Sequence, residues 1–242
     1  MEQKTLVAPT HWAQIQSGTL YQQVIQEKVG DWVPKFFGYH LLKLGGLSGE
    51  IVTSEANIGH QFCLDAQHPD AEVIADLAHL PLSDGSIDLC LAIHQLEFAT
   101  EPHHLLREIN RVMVNDGALF LCGFNPFSLV GIKKFVPILS NKYPYNAHLF
   151  CAWRILDWLK LLNYEILCCD FMPTPNLWTQ SLPQCIYGGL TKSFGFTGAQ
   201  YFIVAKKRTY PVNLIDSKQR WKLPEVLPSY QTKAIDNSCH LK

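Results

Sequence analysis

The eight cysteines of this sequence, Cys63, Cys90, Cys122, Cys151, Cys168, Cys169, Cys185 and Cys239, contain no C-x-x-C pair. The thiols therefore lack zinc-ligand spacing, and no metal ligand set is expected. No run approaches the roughly 18 apolar residues of a bilayer-spanning helix. Charge is scarce as well. Charged residues make up 17% of the chain and the formal net charge is -1, so the whole molecule does not attract a polyanion. There is no internal repeat, which excludes a solenoid. The opening Met1-Glu2-Gln3-Lys4 leads to only Leu6-Val7-Ala8 before Pro9, so no secretory leader is expected. Several cysteines sit inside apolar runs, where a thiol acts as a small hydrophobe. Free thiols in a reducing cytoplasm are the expected state.

What is present is ample core material. The chain has 242 residues, 48% of them hydrophobic, which suits one domain with decorations. Its charge is unevenly placed. Residues 206–242 carry eight Lys and Arg against three Asp and Glu, a net of +5, which leaves -6 for the rest of a chain totalling -1. Pro211, Pro224 and Pro228 break this stretch, so residues 209–242 read as a basic, flexible tail. The acidic remainder has no basic stripe, which argues against nucleic acid as a partner.

Residues 1–38 read as a preface. Leu20, Val24, Ile25, Val29 and Trp32 or Val33 recur at helical spacing, with Ser17 or Thr19 as caps and Pro34 as the stop. The segment 39–44 is a strand running into the glycines Gly45, Gly46 and Gly49. Residues 50–59 form a poor crossover helix, since Val52, Thr53, Ser54 and Asn57 disfavour one. The segment 60–65 is a second strand ending in Asp65. Only eleven positions separate Asp65 from Asp76, with Pro69 between them, which leaves room for a turn instead of a helix.

The stretch from Ala71 to Phe127 organises the rest. Glu72-Val73-Ile74-Ala75 is a strand with Asp76 and Leu77 at its exit. Leu80-Pro81-Leu82 leads to the turn Ser83-Asp84-Gly85-Ser86. Residues 87–93 are a near-continuous apolar run, as expected of a strand covered on both faces. His94, Gln95, Glu97 and Phe98 follow. Thr100, Glu101 and Pro102 open a helix whose buried stripe is Leu105, Leu106, Ile109, Val112 and Met113. Asn115-Asp116-Gly117 is expected to stop it, and residues 118–122 form the next strand. Beyond these come a helix over 149–162, a strand over 164–171 and a closing strand over 200–205. Residues 128–148 and 173–198 are aromatic, irregular excursions.

This order of features resembles a class I S-adenosylmethionine-dependent methyltransferase of the type 11 kind. The motifs that carry it are a short strand ending in Asp76, the Leu80-Pro81 approach, Ser86-Ile87-Asp88 opening a buried strand, and Pro102 to Glu108 on a helix. The resemblance implies an α/β fold, a Rossmann-like doubly wound sheet that is mostly parallel with an antiparallel closing strand. It implies that residues 39–208 form the methyltransferase-like domain and that residues 1–38 are an N-terminal helical lid or extension. S-adenosylmethionine is the implied cofactor. Gly45 and Gly46 would lie under its methionine and ribose, Asp65 would accept both ribose hydroxyls, and Asp76 would accept from the adenine amino group. The backbone of Leu77 would support the ring.

By the same resemblance, His94 and Glu97 stand on the wall facing the methyl group. His94 is the first candidate for a base, Glu97 the second, and His103 or His104 the third. Asn125-Pro126 looks like a nitrogen-binding motif of amino methyltransferases but follows the wrong strand. Two departures stand out: Lys43 replaces the family's acid, and Leu47 replaces a glycine. The expected activity is methyl transfer to a small-molecule acceptor. The alternative is a methyltransferase-like domain that binds without chemistry. A nicotinamide oxidoreductase would need G-x-G-x-x-G after the first strand, which Gly45-Gly46-Leu47-Ser48-Gly49 does not supply.

Overall fold

The computed structural model describes residues 8–15, 17–128, 147–172 and 198–209, all inside the unit Met1–Thr209. The described strands are β1 (Phe37–Leu44), β2 (Asn57–Asp65), β3 (Val73–Ile74), β4 (Ile87–Ile93), β5 (Met113–Phe124), β6 (Tyr164–Met172) and β7 (Gln200–Lys207). They form one seven-stranded sheet in the order β3-β2-β1-β4-β5-β7-β6. β1 pairs in parallel with β2 and β4, β2 with β3, and β4 with β5. β7 runs antiparallel to both β5 and β6. This is the doubly wound sheet with an antiparallel closing strand that the sequence implied.

Side chains alternate between the two faces of each strand, and each face has its own core. Leu42, Leu44, Cys90, Ala92, Leu119 and Leu121 face one side. Helices α3 (Pro102–Val112) and α4 (Ala152–Leu161) cover them, burying Leu105, Leu106, Ile109 and Val112 from one helix and Ile155 and Leu159 from the other. On the opposite side, Leu41, Leu89, Leu91, Ile93 and Phe120 meet helix α1 (Gly18–Trp32). Tyr21, Ile25 and Val29 lie one helical turn apart on α1 and form its buried face. Trp12 and Ile15, which precede α1, join the same core.

Several local expectations are corrected. No helix spans 50–59. The crossover after β1 keeps a single helical turn, α2 (Gly46–Gly49), and β2 begins at Asn57. Asn115-Asp116-Gly117 does not turn the chain. The helix ends at Val112, β5 starts at Met113 and runs through the triplet, and Asp116 takes a left-handed φ of 64°. The short link from β2 to β3 works because β3 pairs only with the last two residues of β2, Leu64 and Asp65. The chain therefore need not travel back along the sheet, and no full crossover helix is required. The excursions 128–148 and 173–198 lie almost wholly outside the described residues, and the tail 210–242 lies entirely outside them.

Candidate functional site

β1 lies between β2 and β4, so the strand order reverses there, and the crevice beyond the carboxyl ends is where an open α/β sheet takes a ligand. A cavity of about 550 Å³ opens at this end. Its wall includes Asp65, Asp76 and Leu77 from the ends of β2 and β3, and Gln95, Phe98 and His104 from the exit of β4 and the start of α3. The volume falls within the roughly 300–1,000 Å³ of small-molecule sites.

The two acids differ in their commitments. Asp76 is exposed and accepts one local bond, from the Ala78 N–H at 2.9 Å. Most of its acceptor capacity faces the cavity's solvent. Asp65 is 6% exposed. Its Oδ2 accepts from the Gly46 N–H at 2.5 Å, and its Oδ1 accepts from the N–H groups of Gln67 at 2.7 Å and His68 at 3.1 Å. A carboxylate offers about four lone-pair sites, so about one remains for a ligand.

The loop bearing Asp76 and Leu77 is held from α3. Arg111 donates to the carbonyls of Leu80 and Leu82 at 2.9 Å each, to Asp84 at 2.5 Å and to Glu108 at 2.8 Å. Glu108 in turn accepts from the Leu80 N–H at 3.2 Å. The Arg111 guanidinium holds the Glu108 carboxyl below its ordinary range, against the opposing effect of burial.

Over the glycine turn the chain fills its own space. Gly45 has a φ of +85°, which an L side chain rarely adopts, and an added Cβ there would strike the Gln95 side chain. An added Cβ on Gly46 would strike the Thr10 carbonyl oxygen and the His68 ring. Leu47 does not enter the cavity. It is fully buried on the α1 side, and its carbonyl accepts from the indole N–H of Trp12 at 3.1 Å. Lys43 donates to the Ile51 carbonyl at 2.7 Å, and burial pushes its pKa down. Its charge is thus spent on the crossover and not over the turn.

His94 and Glu97, expected on the methyl-facing wall, are both sealed in. His94 has a left-handed φ of 54° and is 0% exposed. Its Nδ1 lies 2.8 Å from Glu97 Oε2 and its Nε2 3.0 Å from Gln200 Nε2. The ring stacks on Phe124 at 3.9 Å and meets the edge of Trp12 at 5.8 Å. Neither residue lines the cavity. His104, the third candidate, does, while His103 packs against Trp158. Asn125 accepts from the Phe127 N–H of its own turn at 3.1 Å and donates across to the Gly198 carbonyl at 2.9 Å.

The structure therefore brings Asp65, Asp76 and Leu77 to one cavity and leaves Gly45, Gly46, His94 and Glu97 beneath other side chains. Sequence reasoning missed His68, which reaches Gly46 from the loop after β2, and the covering role of Thr10. No local pattern could have announced either, because both arise from chain packing across distant segments.

Comparison with known proteins follows the same geometry. A family profile described as a methyltransferase domain matches residues 50–121, beginning just after the altered glycine turn. The uncharacterized protein YafS of Escherichia coli (strain K12) is 40% identical over 225 residues, covering 92% of this chain and 91% of YafS. The chain belongs to the class I S-adenosylmethionine-dependent methyltransferase family. A SAM-dependent methyltransferase from Archaeoglobus fulgidus superposes with a TM-score of 0.55 at 17% identity, covering 77% of this chain and 94% of that one. The [4+2]-cyclase SpnF gives a TM-score of 0.54 at 16% identity, covering 80% of this chain and 83% of that one. Such distant likenesses establish the shared fold, and a fold does not fix a reaction.

S-adenosylmethionine is the cofactor that goes with the family. The adenosine end fits what is present, a cavity with an open carboxylate at Asp76 and a partly committed one at Asp65. The methionine end would need Thr10, His68 and Gln95 to give way over the glycines.

Proposed function

We propose that this protein is an S-adenosylmethionine-dependent methyltransferase that methylates a small-molecule acceptor by in-line transfer. The observation that carries the reading is the convergence of Asp65 and Asp76 on one cavity at the switch point of the sheet. When bound, the cofactor supplies a methyl group on a sulfonium, with a good leaving group behind it.

The chain's own part is binding and alignment. Asp76 accepts from the adenine amino group, the Leu77 backbone supports the ring, and the remaining acceptor site of Asp65 takes a ribose hydroxyl. Arg111 fixes the loop that presents Asp76. Alignment of this kind can supply up to about 7–11 kcal/mol when the geometry is ideal. Trp12, Phe124 and the His94–Glu97 pair form a dry, packed floor beside the cavity. The aromatic and apolar composition of residues 128–148 and 173–198 favours a flat or greasy acceptor.

A second reading is a methyltransferase-like domain that binds a nucleoside without transferring a methyl group. The observation favouring it is the filling of the space over Gly45 and Gly46 by Gln95, Thr10 and His68. Calorimetric titration of the full chain with S-adenosylmethionine, S-adenosylhomocysteine and adenosine separates the two. The methyltransferase reading expects saturable binding of the first two, weakened in Asp76→Asn. Binding of adenosine alone leaves the second reading, and no heat from any of the three at millimolar ligand overturns both.

A further inference from the structure

Three side chains from separate parts of the chain meet beside the cavity. His11 comes from the segment before α1, Glu50 from the end of α2, and His68 from the loop after β2. One ligating atom from each lies within 4.8 Å of the other two. His11 Nδ1 is 2.7 Å from Glu50 Oε1, and the rings of His11 and His68 are 4.7 Å apart at 57°. The Trp12 N–H approaches the second oxygen of Glu50 at 3.4 Å, which orients the carboxylate.

His68 supplies the second observation. It is 7% exposed, and its Nε2 is buried with no hydrogen-bond partner. A buried ring nitrogen left without a partner costs desolvation, so it calls for a ligand. His11 and Glu50 have side-chain exposures of 43% and 30%, so an ion could enter and would keep water on its open side.

We propose that His11, Glu50 and His68 form a divalent-cation site of the zinc type. Two imidazoles and one carboxylate, with a fourth position open, make a ligand set that suits Zn²⁺ and Co²⁺. The ligands are close but not at bonding geometry, and the ion draws them together. In the ion-free state the Asp70 N–H donates to His68 Nδ1 at 3.1 Å, which places the ring proton on Nε2. Coordination through Nε2 moves that proton to Nδ1 and releases the Asp70 contact, which lies in an exposed turn. His11 likewise transfers its Nδ1 proton to its outer nitrogen. The bound ion ties the Thr10–Trp12 segment to the glycine turn and to the loop after β2. It thus fixes the cover that lies over Gly46. The proposal is independent of the methyltransferase reading.

The test is titration of the metal-stripped full chain with Co²⁺, followed by its visible absorption, and with Zn²⁺ by calorimetry. One equivalent with micromolar or tighter affinity and a Co²⁺ spectrum of low coordination number is expected. Glu50→Gln and His68→Gln should each weaken binding at least tenfold, and His11→Ala, at a half-buried position, should do the same. The exposed His40–His60 pair, whose Nδ1 atoms lie 3.2 Å apart, is the internal control. His40→Gln should leave the affinity unchanged. Absence of a one-equivalent phase overturns the proposal, as does binding that is lost in His40→Gln and kept in His11→Ala.

Discussion

Glu97 locks His94 in place from inside the core: Oε2 lies 2.8 Å from Nδ1, with side-chain exposures of 1% and 0%. The second oxygen of Glu97 accepts from the Phe124 N–H at the end of β5, and the Glu97 carbonyl accepts from the His148 N–H at 2.9 Å. The Gln200 amide donates to Nε2 of His94, so the ring proton sits on Nδ1 and donates to Glu97. The pair joins the exits of β4 and β5 to the start of β7.

Glu97→Ala is therefore expected to act on stability. Removing one partner of a buried pair costs about 3–5 kcal/mol. For a domain of this size that is a fall of roughly 6–20 °C in thermal midpoint, read by calorimetry or circular dichroism. A shift under about 2 °C would mean the pair is not structural.

Asp76→Asn and Asp65→Asn should separate binding from folding. A hydrogen bond to an ionised acceptor contributes about 1.5–3 kcal/mol, so Asp76→Asn should weaken S-adenosylhomocysteine roughly 10- to 150-fold by calorimetry with an unchanged melting curve. Asp65→Asn turns an amide group toward backbone N–H donors, and it should also lower stability by about 1–3 kcal/mol. Equal melting losses in the two variants would contradict this division.

The Glu108–Arg111 contact predicts an acid-sensitive loop. Glu108 has a folded pKa below its ordinary value of 4.5, chiefly through Arg111. Its contribution is therefore present in full above that ordinary value and is lost as pH falls through the lower, folded value. Urea midpoints measured at descending pH should drop across this window in the wild type and drop less in Glu108→Gln. Parallel curves for the two proteins would show that Glu108 does not anchor the Asp76 loop.

Trp12→Phe keeps the ring in the core and deletes the bond to the Leu47 carbonyl. The expected loss is about 1 kcal/mol, or roughly 2–4 °C, with little change in the near-native fold. Trp12→Ala should cost about 3–5 kcal/mol through the cavity it leaves. If both variants melt with the wild type, the segment before α1 is not part of the core.

Much of the scaffold was legible in the chain because its signals are local. The unbroken apolar run of β4 reads as a strand covered twice, and the stripe Leu105, Leu106, Ile109 and Val112 reads as one helix face. Asp76 was legible as an acid at a strand exit. The Asn115-Asp116-Gly117 triplet misled because its turn chemistry is real but is absorbed as a left-handed kink inside β5, in an irregular stretch between the Met113 and Ala118 pairings with β4. The helix expected over 50–59 failed for the reason its composition suggested, too many β-branched and turn-forming residues.

By itself the sequence determined the alternation of strands and helices, the acids at the ends of β2 and β3, and the altered glycine turn. Periodicity and turn chemistry act over a few residues and need no distant partner. Only the tertiary structure decided which candidates share a cavity and which are buried. Whether His94 faces a ligand or a core depends on Trp12, 82 positions earlier, and on Gln200, 106 positions later. Contacts across such separations leave no pattern in the chain, because they are fixed by packing of whole elements and not by neighbouring residues.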